Sequence, residues 1–489
     1  MAYALSPFGG VSRLRVSTAP ARLTPLGRAS IWTMASTTAH ITPGHHPGPP
    51  ARLRRREVWA WASWDWGSAA FNAVMTTFVF TVYLTSAPFG GKDHASAVLG
   101  AGLAAAGVVV AVLAPVTGQR SDAGGRRKLW LALNTLAVCV ATGLCFFVYP
   151  SENFLLVGVA LIALANVFFE FANVNYFAML KQVSTPATIG KVSGFGWAMG
   201  YVGGIAALAL VLVGFINPDI GWFGVTSENG QNIRAVAVFS AVWFLLFSLP
   251  IFFTVPEVPR TKAAKIGFIA SYGLLFRRVK AIYKTSPHTI FFLLASAVFR
   301  DGLAAVFTFG GVIAAGTFGW ELPQVIMFAI FGNIVAAAGS FAGGFLDDRI
   351  GPKPVIVGAL TGLLLAGSAI AVLGADDVSM FGLSWTGDTT FWIFGLALCL
   401  FVGPAQSASR AFLARLAPDG EEGELFGLYA TTGRAVSFLA PSLFALFITI
   451  FGAQRYGIIG ILLVLLLGLL ALLPARAPGR TPKAVVPEV

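Results

Sequence analysis

The stretch GQRSDAGGRRK at residues 118–128 has a second copy, GFLDDRIGPK, at residues 344–353. Both copies read Gly-x-x-x-Asp-x-x-Gly with basic residues following, and each comes after a long apolar segment. Glycines let helix ends and tight loops approach closely, while an aspartate can sit against a helix N-terminus and pair with nearby arginines. The repeat therefore predicts two similar halves, each with a latch at the same face.

The composition is that of a membrane protein. Of 489 residues, 56% are hydrophobic and only 11% are charged, whereas about a quarter of a soluble protein is charged. These values exclude an ordinary soluble enzyme, a disordered chain and a nucleic-acid-binding domain, despite a net charge of +12. The three cysteines, Cys139, Cys145 and Cys399, each lie in an apolar run, so we expect neither a disulfide framework nor a metal site.

Twelve segments could cross a bilayer, which takes about 20 mostly apolar residues. Nine are free of charge, and three more appear when isolated charges are accepted. The predicted fold class is thus an all-α membrane protein with 12 helices. The predicted spans are 66–91, 97–119, 129–151, 153–180, 192–218, 235–256, 288–320, 322–346, 354–375, 389–409, 425–454 and 456–475.

The basic residues predict the orientation, because cytoplasmic loops are enriched in Lys and Arg. With the N-terminus inside, 28 of the 33 basic residues fall in inner segments. Both termini are therefore expected to be cytoplasmic. The membrane that the protein spans is expected to be the plasma (inner) membrane. The same bias accounts for the positive charge through topology and contact with anionic lipids, without nucleic acid.

The chain divides into five predicted regions. Residues 1–57 lack apolar runs and contain one acid, at their end, so we expect a disordered basic N-terminus, for which Met34 is an alternative start. Six-helix bundles are expected at 58–256 and 288–475. The intervening residues 257–287 suit either an amphipathic helix on the cytoplasmic membrane face or a plain basic linker. Residues 476–489 are expected to form a cytoplasmic tail.

The repeated stretch at 118–128 and 344–353 resembles the hallmark of the major facilitator superfamily, found between helices 2 and 3 and between helices 8 and 9. The resemblance extends from about residue 57 to residue 475. It implies two pseudo-symmetric six-helix bundles around a central cavity, working by alternating access. Helices 1, 4, 7 and 10 are then expected to line the cavity.

Five further stretches narrow the resemblance. They are SWDWGSAAF at 63–71, GKVSGFGWAMGYVGG at 190–204, Asp301-Gly302, GPAQSASR at 403–410 and FGLY at 426–429. Together they are similar to the vacuolar amino-acid effluxer family first tied to autophagy, and to its bacterial relatives. This resemblance implies amino-acid efflux, most directly for the fungal branch.

Polar side chains within the spans mark a candidate site, because ionisable residues in a bilayer are costly. Most of them fall on helices 1, 4, 7 and 10. Desolvation favours protonation of a buried carboxylate, which makes Glu170 and Asp301 candidates for proton coupling. The acids and arginines could instead neutralise one another as gate salt bridges. The candidate substrate or proton site is Asp65, Asn72, Asn166, Glu170, Asn173, Asp301, Gln406 and Arg410.

A candidate inner gate is built on the two motif copies. The glycines at 196, 200 and 204 are interpreted as a helix-packing stripe. The tryptophans at 59, 61, 64 and 66 are interpreted as an interfacial belt rather than an aromatic binding box. The gate residues are Gly118, Asp122, Gly125, Arg126, Arg127, Gly344, Asp348, Arg349, Gly351 and Arg434.

The sequence thus predicts a secondary active transporter of a small polar metabolite, with amino-acid efflux favoured and proton coupling open. No Walker-type motif is present, and no catalytic constellation or cofactor site is expected. Its partners would be a small-molecule substrate, protons if coupled, and membrane lipids, and we expect a monomer. The alternatives are export of another solute such as a sugar or drug, a non-transporting membrane sensor, or a lipid-acting membrane enzyme.

Overall fold

The computed structural model describes residues 55–257, 268–374, 377–380 and 383–476. The predicted disordered N-terminus up to residue 54, residues 258–267 of the linker, and the tail from residue 477 lie outside these ranges. Within them, twelve helices are long and apolar enough to cross a membrane. In chain order, helices 1 to 12 are Arg55–Leu84, Lys92–Gly124, Arg127–Phe147, Glu152–Lys181, Ile189–Ile216, Glu228–Thr254, Pro287–Phe318, Gln324–Ile350, Pro352–Leu373, Gly387–Leu416, Glu422–Phe451 and Gln454–Leu472.

The ends of most helices differ by a few residues from the predicted spans, and two differences are larger. Helix 1 begins at Arg55, eleven residues before the expected start at 66, because the charges of its first turn and of Asp65 hid its beginning. Residues 55–57 are accordingly helical rather than part of a disordered tail. Helix 11 was expected to be continuous, but it is interrupted between Val436 and Leu439.

Helix packing repeats between the two halves. In the first half, helix 1 packs on helices 5 and 6, helix 3 on helices 4 and 6, and helix 2 on helix 4. In the second half, helix 7 packs on helices 11 and 12, helix 9 on helices 10 and 12, and helix 8 on helix 10. The second set is the first with six added to each number, which is the expected pseudo-symmetry.

The halves meet along two helix crossings, helix 2 with helix 11 and helix 5 with helix 8. Motif glycines make both crossings close: a Cβ on Gly118 would overlap the Gly423 carbonyl, and one on Gly344 would lie 2.6 Å from the Gly190 oxygen. Gly125 and Gly351 end the preceding helices with positive φ angles of 54° and 96°. Glycine is therefore required both for the contact and for the turn.

Within the described ranges, one end of the bundle holds most of the side-chain contacts that join the two halves. We call it the closed end, formed by residues 125–126, 182–188, 351 and 417–421. Among the described residues, the hydrogen bonds and ion pairs between the halves lie at this end or near mid-membrane. Helices 1 and 7 make no comparable contact with each other within the described ranges.

Two small elements connect the helices. A helix at Phe268–Thr285, here called the linker helix, lies beside helix 2, where the Tyr272 hydroxyl donates to the Val112 carbonyl at 3.2 Å. Its Arg278 forms an ion pair with Glu421 at the closed end. Placement of this helix on the membrane face stays a prediction. Between helices 9 and 10, strands β1 (Val378–Met380) and β2 (Leu383–Trp385) pair antiparallel.

We expect Gly118→Ala to destabilise the protein, because the added methyl group meets the backbone of helix 11. Overpacking of this kind costs about 1–3 kcal/mol. Gly107→Ala is the matched control, since it lies on the same helix with nothing within 4 Å of its ideal Cβ. Thermal unfolding followed by tryptophan fluorescence should give a lower Tm for Gly118→Ala alone. Equal midpoints for the two variants would contradict the close crossing.

Candidate functional site

The first motif copy forms a buried ion-pair cluster across the halves. Arg127 is 2% exposed, and its guanidinium lies 2.6 Å from Asp122 and 2.5 Å from Glu422. The second oxygen of Asp122 accepts a hydrogen bond from the backbone N–H of Glu424 at 2.9 Å. Because helix 11 begins at Glu422, Asp122 lies at a helix N-terminus, where the backbone dipole favours a negative charge.

The second copy makes the equivalent contact. Asp348 accepts hydrogen bonds from the backbone N–H groups of Gly190 and Lys191 at 2.8 and 3.0 Å, in the first turn of helix 5. Arg415 lies 2.6 Å from Asp347 and 3.4 Å from Asp348. Each half thus places one motif aspartate on a helix of the other half. We call these two contacts the latches.

Further charges surround the first latch. Lys181 lies 2.9 Å from Asp419 and 3.4 Å from Glu422. The hydrogen bond and charge of Lys181 lower the pKa of the Asp419 carboxyl. Arg126 and Arg349, both expected in the gate, have exposed side chains at the closed end.

Arg434, also expected in the gate, lies near the middle of helix 11. Its guanidinium contacts Glu170 at 2.5 Å and the amide oxygen of Asn166 at 3.3 Å, so it joins helix 11 to helix 4. The side chains of Glu170 and Arg434 are 22% and 29% exposed. This pair therefore bridges the two halves while remaining accessible to solvent.

A second ion pair between the halves is more deeply buried at its arginine, while the side chain of its aspartate, Asp65, is 15% exposed. Arg410 is 1% exposed and lies 3.2 Å from Asp65, which also accepts a hydrogen bond from the Tyr176 hydroxyl at 2.8 Å. The other guanidinium nitrogens of Arg410 donate to the hydroxyl and carbonyl of Ser193, at 3.0 and 2.6 Å. A Cβ on Gly196 would lie 2.8 Å from Arg410 and 2.9 Å from Asp65, so the glycine stripe makes room for this pair.

Aromatic rings enclose Arg410, and they correct the interfacial-belt interpretation of the tryptophans. Trp61 and Trp64 are fully buried and stack on Tyr176 with ring centroids 4.5 and 4.3 Å apart. The Arg410 guanidinium lies 4.9 Å from the Trp61 ring and 5.5 Å from the Trp197 ring. Only Trp59, at 57% exposure, suits an interface. The belt was wrong for Trp61 and Trp64 because their rings stack on Tyr176 of helix 4 inside the bundle.

The remaining predicted site residues are dispersed. Gln406 accepts a hydrogen bond from the Tyr201 hydroxyl at 2.5 Å, between helices 10 and 5. Asp301 is 8% exposed and accepts from the backbone N–H of Ala440 at 2.6 Å. Asn173 is half-buried on helix 4, and Asn72 is exposed on the π-helical part of helix 1.

Several contributing residues were not singled out from the sequence. Glu422 and Glu424 were not named in the sequence analysis, although they follow a turn at the equivalent of the 182–188 loop. Ser193 lay in the quoted stretch 190–204 without an assigned role, and Tyr176 lay outside the quoted stretches. A search for acidic residues in the first turn of helix 11 would have found Glu422 and Glu424, because the repeat places a motif aspartate opposite the start of that helix. Within the described ranges, no group of three or more His, Cys, Asp or Glu could hold a metal ion.

Comparison with known proteins agrees with this architecture. A family profile described as "Vacuole effluxer Atg22 like" matches residues 181–478. The uncharacterised MFS-type transporter YxiO of Bacillus subtilis is 24% identical over 420 residues, 84% of this chain and 93% of that protein. Autophagy-related protein 22 of Cryptococcus neoformans is 26% identical over 298 residues, 57% of this chain. The match covers 49%, about half, of that fungal relative's length.

Solved structures show the same fold. The major facilitator superfamily transporter FucP, crystallised in the outward conformation, aligns with a TM-score of 0.62 over 86% of this chain and 98% of that chain, at 13% identity. Together with the 12 helices and their repeated packing, this confirms the predicted major facilitator fold.

Asp122→Asn should loosen the closed end, because it removes the charge that meets both Arg127 and the helix 11 N-terminus. A cysteine at Ser121, fully buried beside the latch, is the reporter after the three native cysteines are replaced by alanine. We expect its alkylation rate to rise about tenfold, which corresponds to about 1.4 kcal/mol. Asp419→Asn, at the same end but 99% exposed, should leave the rate unchanged. Equal rates in the two variants would contradict the latch.

The two ion pairs that join helix 1 to helix 10 and helix 4 to helix 11 should differ in coupling energy. Breaking a buried pair by neutralising one partner costs about 3–5 kcal/mol, whereas an exposed pair contributes about 0–1 kcal/mol. Double-mutant cycles with Asp65→Asn and Arg410→Gln, and with Glu170→Gln and Arg434→Gln, should therefore give the larger coupling for the first pair. Thermal or denaturant unfolding measures both. A larger coupling for Glu170–Arg434 would reverse the assignment of the more buried and the more exposed pair.

Proposed function

The chain belongs to the vacuole effluxer Atg22-like family of the major facilitator superfamily, and we propose that it is a secondary active transporter that exports amino acids by alternating access. The proposal rests on one observation: the Glu170–Arg434 pair joins the two halves near the middle of helices 4 and 11, and both side chains are partly exposed. In this superfamily a substrate must bind between the halves and change how they contact each other. This pair is where a polar solute can do both.

A zwitterion matches the chemistry of the pair. An ammonium group can replace Arg434 beside Glu170, and a carboxylate can replace Glu170 beside Arg434, so neither charge is left alone in a medium of low dielectric. The Asn166 amide oxygen, which lies 3.3 Å from Arg434, can accept a further ammonium hydrogen bond. A simple cation or anion would satisfy one partner and leave the other uncompensated. The amino acid is therefore the class of solute we favour.

The Asp65–Arg410 pair supports a different role. Its arginine has bonds to Asp65 and to both oxygens of Ser193 and is enclosed by aromatic rings. A solute that displaced Asp65 would have to enter a region with no exposed guanidinium surface. We assign this pair, with the two latches, to holding the closed conformation.

The orientation and setting are part of the proposal. We infer that the closed end is cytoplasmic, because the basic segments cluster there, and that the structure opens to the opposite side of the plasma (inner) membrane. Both termini are then cytoplasmic, and the protein works as a monomer surrounded by lipid. If transport is coupled to protons, Glu170 and Asp301 stay the candidate carboxylates.

Counterflow in proteoliposomes tests the function. Vesicles preloaded with mixed neutral amino acids should take up labelled leucine, tyrosine or alanine, and Glu170→Gln or Arg434→Gln should lower the rate at least tenfold. The reason is the loss of a charge-assisted contact of about 1.5–3 kcal/mol. Glu152→Gln, the same change at the far end of helix 4, is the control and should exchange like the wild type.

The outcomes separate the parts of the proposal. If Glu170→Gln and Arg434→Gln both leave the exchange intact, the binding site lies elsewhere in the protein. No exchange of any label by folded protein would remove amino acids and turn the search to sugars, peptides and drugs. A pH gradient that drives no accumulation by an exchange-competent protein would exclude proton coupling.

A further inference from the structure

Helix 11 is broken close to Arg434, the residue that pairs with Glu170. Its first segment runs from Glu422 to Val436 and its second from Leu439 to Phe451. Pro441, in the first turn of the second segment, explains the break: proline lacks an N–H and its ring clashes with the carbonyl four residues earlier, that of Ser437. The break leaves N–H groups at the start of the second segment without a partner in their own helix.

A carboxylate from helix 7 fills this gap. The buried Asp301 accepts the Ala440 N–H at 2.6 Å, which is a helix N-cap supplied by another helix. A negative charge at this position is also favoured by the dipole of the second segment. This contact uses the Asp301 side chain as an acceptor from the backbone and not as a partner for another charge.

The neighbouring residue holds the first segment. Arg300 donates to the Tyr429 carbonyl at 3.1 Å, and its guanidinium lies 3.7 Å from the Tyr429 ring centroid. The absence of a side chain at Gly433 gives it room, since a Cβ there would lie 3.2 Å from Arg300. Two consecutive residues of helix 7 thus hold helix 11 on both sides of its break.

The first segment also connects the site to the closed end. Near its N-terminus, the Glu424 N–H is bound by Asp122 of the first latch, and near its C-terminus Arg434 is bound by Glu170. Its 15 residues form a helix about 22 Å long without proline, so movement at one end is transmitted to the other. The break at Ser437 and Phe438 is the point about which such a segment can turn.

We propose that Asp301 is a positioning residue that fixes the second segment of helix 11, so that the first segment turns as a rigid lever between the Glu170–Arg434 pair and the Asp122 latch. Separation of the pair moves the lever and releases the latch at its other end. The inference rests on the proposed function, in which a substrate separates the pair. If the Ala440 N–H is not held, the second segment moves with the first and the latch stays closed.

The test measures coupling without any substrate. Spin labels at Arg126→Cys and Arg349→Cys, on opposite halves at the closed end, report the distance between the halves in nanodiscs after the native cysteines are replaced by alanine. Glu170→Gln breaks the pair and should lengthen this distance by about 5 Å, the scale of a one-turn helix shift. Asp301→Ala combined with Glu170→Gln should keep the short distance of the parent.

Asp301→Asn separates capping from charge, because its side-chain oxygen still accepts from Ala440. We expect Asp301→Asn with Glu170→Gln to open like Glu170→Gln alone. Asp301→Ala alone must show the short distance, which also verifies that this variant folds. Opening of the Asp301→Ala, Glu170→Gln double variant would overturn the lever. An Asp301→Asn, Glu170→Gln double variant that stays closed would also overturn it, because the charge of Asp301 would then be the property that matters.

Failure of the lever is distinguishable from failure of the proposed function. A Glu170→Gln variant that does not open the closed end overturns the lever, whatever the counterflow assay gives. Loss of leucine, tyrosine and alanine exchange in the wild type overturns amino-acid export while leaving the distance measurement valid.

Discussion

An ionised side chain in a bilayer must be met by an opposite charge or by a helix end, and in this protein several of those partners come from the other half of the molecule. Arg410 meets Asp65, Arg434 meets Glu170, and each motif aspartate meets the first turn of a helix across the interface. The cost of desolvating a charge is therefore what holds the halves together at one end. The same dependence makes the contacts reversible, because water or a solute can supply the missing partner once the halves separate.

The Asp65–Arg410 and Glu170–Arg434 pairs differ in which molecules can supply that partner. Arg410 is enclosed by rings and saturated with protein acceptors, so its contact changes only when whole helices move. Arg434 lies near the end of a helix segment and has solvent access, so a small solute can compete for it directly. A transporter needs both kinds of contact: one that defines a conformation and one that a substrate can change.

The sequence predicted the helix count, the two halves and the latch aspartates, because long apolar runs and a repeated motif are local patterns. It also placed Asn166 and Glu170 in the same candidate site. It could not predict that Trp61 and Trp64 are buried, since interface and core tryptophans look alike when the packing partner is distant in sequence. The acids at the start of helix 11 and the capping role of Asp301 were missed for the same reason: each acquires its meaning from a helix more than a hundred residues away.

The latches have a consequence for how this chain can change over evolutionary time. Asp348 accepts from the main chain at Gly190 and Lys191, and Asp122 accepts from the main chain at Glu424. A main-chain N–H is encoded by every residue except proline, so the donor side of each contact survives most replacements at Lys191. The acceptor side has no such freedom. Sequence drift can therefore change the surface charge of the helix starts while the latches persist, provided that the two aspartates and the glycines of the close crossings are retained.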